Sequence, residues 1–284
     1  MSYELAIRTM SAQDMAVAVE WAAREGWNPG LADAQCFHRA DPEGFLVGEV
    51  GGSPASCISV VRYGSGFGFL GFYIVKPEFR GQGFGWKTWR AGLDRLGGRN
   101  VGLDGVIDQQ DNYRKSGFKL AHRNIRYQGV TGDVTPGDSE GLEFQHAVGW
   151  DNGLLAYDGQ LFPDNRETFI RGWCSEPGHA VAVIREDQKI TGYGVIRPCR
   201  EGYKVGPLFA DAPRGARTLL HELTNRVAAG KPFFLDVPEP NSAAMDMVQG
   251  QGMQSVFETA RMYSASDPEL PLNRIYGLTS FELG

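Results

Sequence analysis

A glycine-rich stretch between a predicted strand and a predicted helix constrains this chain more than any other feature. Residues 75–85 read Val-Lys-Pro-Glu-Phe-Arg-Gly-Gln-Gly-Phe-Gly. The apolar run 66–75 predicts a buried strand before it, and Trp and Leu at three- and four-residue spacing across 86–96 predict an amphipathic helix after it. Glycines let the backbone turn tightly, and a helix N-terminus directs free N–H groups into the same loop. This combination is typical of an anion site, most often for phosphate.

Two common nucleotide-binding patterns do not match this loop. The dinucleotide fingerprint G-x-G-x-x-G needs a glycine where Trp86 stands, and the chain has no Gly-Lys-Ser/Thr at this loop. Written as Arg80-x-x-Gly83-x-Gly85, the loop instead resembles the pyrophosphate loop of the GNAT acyltransferase superfamily, which binds acyl-coenzyme A. An ordinary glycine turn between a strand and a helix is the alternative.

A second match follows the next predicted strand, at 101–105. Residues 109–118 read Gln-Gln-Asp-Asn-Tyr-Arg-Lys-Ser-Gly-Phe, which predicts a short helix that ends at Gly117. The spacing from Tyr113 to Gly117-Phe118 resembles the Tyr-x-x-x-Gly-Phe signature of the same superfamily, whose tyrosine lies beside the coenzyme sulfur. Two matches in this order favour a GNAT domain in the first half of the chain.

The second half repeats the predicted element order of the first at low sequence identity. We expect an α/β fold of two tandem GNAT-like domains, each a central mixed sheet flanked by helices, with domains at 1–128 and 139–284 and a polar, breaker-rich linker at 129–138. The second copy lacks the glycines of the first loop, since 211–216 reads Asp-Ala-Pro-Arg-Gly-Ala, and Val248 stands where a tyrosine would be needed. We therefore expect a degenerate C-terminal domain that does not bind coenzyme A.

Composition and charge exclude several classes of function. Hydrophobic residues make up 42% of the 284 residues and charged residues 22%, as in a well-cored globular protein. The net charge of −6 is concentrated in the second half, which argues against a nucleic-acid partner and favours a cationic small substrate, although solubility explains it equally well. We expect no membrane span and no metal, and the four scattered cysteines without a C-x-x-C pair indicate a reducing, cytoplasmic location.

The resemblance implies which residues hold acetyl-CoA. The loop amides and Arg80 would bind the pyrophosphate, the main chain of 73–75 would pair with the pantetheine arm, and Tyr113 would protonate the departing thiolate as general acid. The complete set of predicted coenzyme contacts is Tyr73, Ile74, Val75, Arg80, Gly81, Gln82, Gly83, Phe84, Gly85, Asn112 and Lys115. A core tyrosine that only packs the last helix is the alternative for Tyr113.

The acceptor site is predicted less directly. The loop after the first helix forms one wall of the acceptor pocket in GNAT folds, and the strand before the glycine loop carries no Asp, Glu or His that could act as base. A base could come from the end of the next strand, from water, or not be needed, and a docked C-terminus could lend its carboxylate. The candidate acceptor contacts are Trp27, Asn28, Asp33, Asp104, Asp108 and Asp236.

These patterns predict an acetyl-CoA-dependent N-acetyltransferase that acts on the primary amine of a small, cationic acceptor. A non-catalytic acyl-CoA sensor or interaction protein on the same scaffold, and a protein N-acetyltransferase, are the alternatives. The sequence does not predict an oligomeric state.

Overall fold

The computed structural model describes residues 4–138, 140–147 and 149–284. The helices are α1 (Ala12–Arg24), α2 (Asp33–Ala40), α3 (Phe84–Leu96), α4 (Gln110–Lys115), α5 (Asn152–Asp158), α6 (Glu167–Ser175), α7 (Pro213–Thr224) and α8 (Ser242–Gly250). The strands are β1 (Leu5–Thr9), β2 (Phe45–Val50), β3 (Ser53–Tyr63), β4 (Phe67–Val75), β5 (Asn100–Val106), β6 (Lys119–Val130), β7 (Glu143–Ala147), β8 (Ala180–Glu186), β9 (Lys189–Pro198), β10 (Tyr203–Ala210), β11 (Pro232–Pro238), β12 (Gln254–Tyr263) and β13 (Ile275–Gly277). No helix within the described ranges is long and apolar enough to cross a membrane.

The predicted tandem order is confirmed by the structure. The first half runs β4–α3–β5–α4–β6, and the second half repeats it as β10–α7–β11–α8–β12. The short helices α4 and α8 are each followed by a glycine in the left-handed region, Gly117 at a φ of 93° and Gly252 at a φ of 68°. Glycine is favoured there because a side chain would be strained at these angles. The two halves are therefore built on the same local plan.

The two halves exchange their last long strands. All 13 strands form one sheet, in which β5 pairs with β12 and β11 pairs with β6, both antiparallel, while β6 and β12 pair with each other at the centre. The strand that ends each half thus completes the sheet of the other half. The predicted division at 128 and 139 stays a prediction, since β6 continues to Val130, inside the proposed linker.

The halves also share one hydrophobic core beneath the sheet. The largest buried cluster contains residues of α1 and α2 from the first half and of α5 and α6 from the second half. At its centre, the ring of Phe37 stacks on Trp173 with 5.9 Å between centroids and an interplanar angle of 9°. Separating the halves would expose this apolar surface to water, so the tandem behaves as one folding unit.

In each half, two neighbouring parallel strands separate before they end and leave a gap between them. In the first half, β4 and β5 pair only over Phe67–Leu70 and Asn100–Leu103, although both strands continue beyond these residues. In the second half, the equivalent β10 and β11 pair only at Tyr203–Val205 and Phe233–Leu235. There β13 fills the gap, because it pairs antiparallel with β10 at Leu208 and Phe209 and also packs on β11. In the part of the chain that the structure describes, no strand fills the equivalent gap of the first half.

Candidate functional site

The glycine-rich loop presents a row of free backbone N–H groups. Gly81 and Gly83 adopt φ values of 74° and 80°, and a Cβ at either position would meet nothing within 4 Å. From Gly81 to Trp86, no N–H donates to an acceptor in the described part of the chain, whereas the N–H of Lys87 donates to the Gly83 carbonyl at 3.2 Å. Helix α3 begins at Phe84, so the positive end of its dipole adds to these donors. This geometry suits a phosphate group.

The open gap beside β4 forms a cleft of about 540 Å³. Strand β4 bulges at its edge, since Phe72 and Tyr73 together stand opposite Ile58 of β3, and Phe72 has a φ of 45°. A bulge bends a strand and changes its twist, which helps β4 to turn away from β5. The first half lines the cleft with Glu25, Trp27, Leu70, Gly71, Phe72, Tyr73, Ile74, Val75, Arg80, Leu103, Asp104, Gly105, Val106, Asp108, Gln109 and Tyr113, and the second half with Phe257, Thr259, Phe281 and Glu282.

Tyr113 lies in this cleft, and its position depends on small neighbours. Its ring stacks on Trp89 at 5.6 Å, and a Cβ at Gly105 would overlap it, so glycine lets the ring lie flat on β5. The Tyr113 hydroxyl has no hydrogen-bond partner among the residues that the structure describes. Burial, together with Tyr73, raises the pKa of Tyr113 to about 12, so the phenol stays protonated at neutral pH. A protonated, unbonded hydroxyl can donate a proton to a group in the cleft.

The predicted coenzyme contacts divide into two groups. Tyr73, Ile74, Val75 and Arg80 line the cleft, and the Arg80 guanidinium is held by the Val75 carbonyl at 2.8 Å and by Glu25 at 2.8 Å. By contrast, Asn112 and Lys115 are exposed on α4 and do not line it. The loop itself, 81–85, lies at the start of α3 next to Tyr73, whose hydroxyl would be 2.7 Å from a Cβ at Gly85. Contacts from α4 to the coenzyme stay a prediction of the sequence.

Of the six predicted acceptor contacts, three line the cleft and three do not. Trp27, Asp104 and Asp108 line the cleft, whereas the other three do not. Asn28 bonds to the main chain of Glu201, with its Nδ2 donating to the carbonyl at 2.9 Å. Asp33 and Asp236 are buried and bonded to arginines. Their contact with an acceptor therefore stays a prediction, and the structure gives each of them a partner within the chain.

Three of these carboxylates form buried ion pairs between the halves. Asp104 binds Arg261 in a bidentate pair at 2.8 and 2.7 Å, and Asp236 binds Arg126 at 2.6 and 2.8 Å. The two pairs occupy equivalent places in the two halves. In each, the fifth residue of a strand, Asp104 in β5 or Asp236 in β11, binds an arginine on the neighbouring strand, which comes from the other half. Asp33 binds Arg197 at 3.0 Å. The predicted alternative of Asp104 as a free base is disfavoured, since its charge is already neutralised by Arg261.

We expect these pairs to make the fold sensitive to acid. Burial alone would raise the pKa of Asp236 and of Asp33, but the nearby positive charges, Arg126 for the first and Arg197 for the second, outweigh it and lower both pKa values below the ordinary range. A carboxylate with a lowered folded pKa stabilises the fold above its unfolded pKa of about 4, and this contribution is lost as pH falls through the folded value. Urea unfolding measured from about pH 5 down to about pH 3 should show a falling free energy of unfolding. A flat profile would contradict it.

The sequence did not predict that residues of the second half form one wall of the cleft. Phe257 and Thr259 reach the cleft because β12 is exchanged, and Phe281 and Glu282 reach it because the chain returns after β13. The apolar ending of the sequence was a sign of a docked segment, but nothing local indicated which carboxylate would enter the cleft. No group of three or more potential metal ligands occurs within the described residues.

Comparison with protein families matches both halves to one superfamily. Residues 12–118 match the model described as "Acetyltransferase (GNAT) family", and residues 154–277 match the model described as "Acetyltransferase (GNAT) domain". The two matches cover the halves in which the element order repeats. They agree with the equivalence of the two halves seen in the structure.

Individual relatives extend over nearly the whole chain. A protein named holothin acyltransferase, from Pseudoalteromonas sp. (strain SANK 73390), is 29% identical over 274 residues, which cover 96% of this chain and 92% of that protein. A Pyrococcus horikoshii structure described as a candidate acetyltransferase superposes with a TM-score of 0.84 at 19% identity and covers 100% of this chain and 98% of its own. A tandem GNAT protein from the clavulanic acid biosynthesis pathway has a TM-score of 0.64 at 13% identity, over 93% of this chain and 100% of its own. These two structures show the shared fold.

Proposed function

Because this chain is a tandem member of the GNAT superfamily of acyl-CoA-dependent N-acetyltransferases, we propose that its first half transfers an acetyl group from acetyl-CoA to the primary amine of a small molecule. One observation supports this most: the free N–H groups at 81–86 and the Tyr113 hydroxyl flank one open cleft beside β4. Such a cleft can hold a long ligand with a phosphate at one end and a reactive group near the tyrosine. The equivalent gap of the second half is filled by β13.

Each part of the cleft has a defined task in this proposal. The N–H groups of the loop and the start of α3 would bind the pyrophosphate, and the unpaired edge of β4 beyond Leu70 would hold the pantetheine arm as an added strand. Acetyl-CoA would supply the activated acyl group as a thioester. Tyr113 would donate its proton to the sulfur that leaves, since its hydroxyl is protonated and free to donate.

The acceptor is proposed to be a small molecule. The 29% identical relative carries the name holothin acyltransferase, which supports an acyltransferase with a small acceptor over one that acts on proteins. Aromatic residues of both halves line the cleft, namely Trp27 from the first and Phe257 and Phe281 from the second. A cleft that aromatic rings of both halves line suits a compact amine better than a polypeptide chain.

The coenzyme site is tested by placing a negative charge in the loop. We expect Gly81→Asp to weaken acetyl-CoA binding at least about tenfold, because the new carboxylate would repel the pyrophosphate. Isothermal titration of acetyl-CoA into each protein measures the effect. Gly98→Asp is a matched control, since Gly98 has a φ of 76° and Gly81 a φ of 74°, and neither position has an atom within 4 Å of a Cβ.

The control separates charge from backbone strain. If both variants lose binding equally, strain explains the loss and the loop is not the phosphate site. If wild-type protein binds no acetyl-CoA, the proposed function is wrong. Two binding sites per chain would mean that β13 does not close the second half.

A further inference from the structure

The segment 278–284 returns from the second half and docks on β4 in the first. The N–H of Leu278 donates to the Asp236 carbonyl at 2.8 Å, and the Tyr63 hydroxyl donates to the Leu283 carbonyl at 2.9 Å. A Cβ at Gly71 would overlap the carbonyl of Glu282, so the glycine makes this close approach feasible. Every residue of the segment is buried. It is therefore an integral part of the cleft wall.

The segment carries Glu282 to the point where β4 and β5 stop pairing. Its backbone lies against Gly71, one residue beyond the last β4 pairing to β5 at Leu70, and Glu282 lines the cleft. The residue is only 3% exposed. Within the described part of the chain, its Oε2 is buried without a hydrogen-bond partner, and no bond to Oε1 is present either. A buried carboxylate without hydrogen bonds is costly, which is why such a group points to a ligand.

Three cations lie around Glu282, and none of them donates a hydrogen bond to it within the described residues, although Arg197 Nη1 and Nη2 also lack hydrogen-bond partners there. Arg126 on β6 binds Asp236 on β11, and Arg197 on β9 is bonded to Asp33 on α2. Lys204 on β10 donates to the Trp27 carbonyl at 3.1 Å. These cations lower the pKa of Glu282 only in part, because burial outweighs them and the pKa stays raised above that of an ordinary glutamate. A carboxylate of this kind accepts a proton more readily than an exposed one.

Aromatic rings line the same cleft as Glu282. Trp27, Phe257 and Phe281 line the same cleft, and the rings of Phe257 and Phe281 are 6.2 Å apart. The Arg126 guanidinium lies 4.8 Å from the centroid of Phe281 and holds that ring from the other side. At 6.2 Å and an angle of 45°, these two rings contact each other and form one aromatic wall. A flat apolar body can pack on this wall, with its cationic group directed to the carboxylate.

We propose that Glu282 is the acceptor-side catalytic residue: its carboxylate binds the ammonium group of a small primary amine with an aromatic ring and takes a proton from it. This inference rests on the proposed function, since it assigns the acceptor end of the same cleft. It also replaces the expectation that the chain's terminal carboxylate enters the pocket, because the Gly284 carbonyl accepts from Arg166 at 3.3 Å instead.

Glu282, Tyr113 and water account for every proton that moves in the proposed acyl transfer. The ammonium nitrogen gives one proton to the Glu282 carboxylate, and its freed electron pair forms the new N–C bond with the acyl carbon. The C–S bond breaks, and the sulfur takes the proton of the Tyr113 hydroxyl. The second proton of the attacking nitrogen leaves to water, and an amide and a free thiol result. Both residues return to their starting states by exchange of protons with water.

The test compares two aromatic amines that differ in charge. Benzylamine is an ammonium ion at neutral pH, whereas aniline is neutral and needs no base before attack. We expect Glu282→Gln to lower kcat/KM for benzylamine about 100-fold and to lower it far less for aniline. Glu282→Asp, which keeps a carboxylate, should recover part of the benzylamine activity. Glu269→Gln is the control, because Glu269 is exposed in the connection between β12 and β13 and does not line the cleft.

Each outcome decides the proposal. An equal loss for both amines in Glu282→Gln would show that Glu282 only supports the docked segment and would overturn the inference. A wild type that binds acetyl-CoA but acetylates neither amine would overturn the acceptor class. Titration with acetyl-CoA separates the two proposals, since Glu282→Gln should bind it as the wild type does, while no binding by the wild type would refute the proposed function itself.

Discussion

Replacing Tyr113 by phenylalanine is expected to lower kcat by about 100-fold or more while leaving the affinity for acetyl-CoA almost unchanged. The ring would keep its stacking on Trp89 and its place above Gly105, so the cleft should retain its shape. Only the hydroxyl is lost, and with it the donor that protonates the leaving sulfur. Single-turnover measurement of thiol release at saturating amine, with titration of acetyl-CoA, separates the chemical step from binding.

A second tyrosine provides the control for this experiment. Tyr127 is also buried, but it lies on β6 outside the lining of the cleft, and its hydroxyl points to Met245 at 3.8 Å. Tyr127→Phe should therefore leave kcat close to that of the wild type. Unaltered turnover in Tyr113→Phe would show that water supplies the proton. Binding of acetyl-CoA without turnover of any amine by the wild type would favour the alternative of a non-catalytic acyl-CoA sensor.

The largest effect on stability is expected from Arg261→Met. This change leaves Asp104 buried without its bidentate partner, and an unpaired buried charge typically costs about 3–5 kcal/mol. The Asn124 amide would still donate to Asp104, at 2.7 Å, and would compensate only in part. Urea unfolding followed by tryptophan fluorescence measures the free energy of unfolding, with the slope checked for two-state behaviour.

An exposed ion pair gives the comparison for this prediction. Arg114 and Asp111 are 2.8 Å apart, but their side chains are 51% and 81% exposed, so Arg114→Met should cost about 1 kcal/mol or less. The double variant Arg261→Met, Asp104→Asn should be more stable than Arg261→Met alone, because it removes the unpaired charge. Equal losses in Arg261→Met and Arg114→Met would contradict a stabilising role for the buried pair.

The proposed coenzyme end of the cleft has local signals, so the geometry of its loop could be predicted from the sequence. The glycines at 81, 83 and 85, the strand before them and the helix after them follow one another in the chain, so their joint geometry depends on short-range rules. The same holds for Tyr113 and Gly117, which one short helix connects. The repeat of these elements in the second half was visible for the same reason.

The acceptor end could not be predicted, because it is made of residues that are distant in sequence. Asp33, Asp104 and Asp236 had the chemistry of amine-binding residues, but the structure places an arginine of the other half beside each of them. Glu282 had no motif around it, and its place depends on a segment that crosses from one half to the other. Long-range packing decided which of these carboxylates are paired with arginines, and it brought Glu282 to the cleft, which Asp108 also lines.

By itself the sequence determined two copies of one local plan, with the glycine-rich loop at 81–85 and Tyr113 in the first copy and no equivalent of either in the second. It did not determine how the copies join. Arg126 follows Gly117, and Arg261 follows Gly252, by the same nine residues, so either strand could offer an arginine to Asp104 or Asp236. Equal local patterns cannot distinguish the exchanged from the unexchanged arrangement. Only the tertiary structure, through the shared core and the return of the chain after β13, selects the exchange that brings residues of the second half to the cleft.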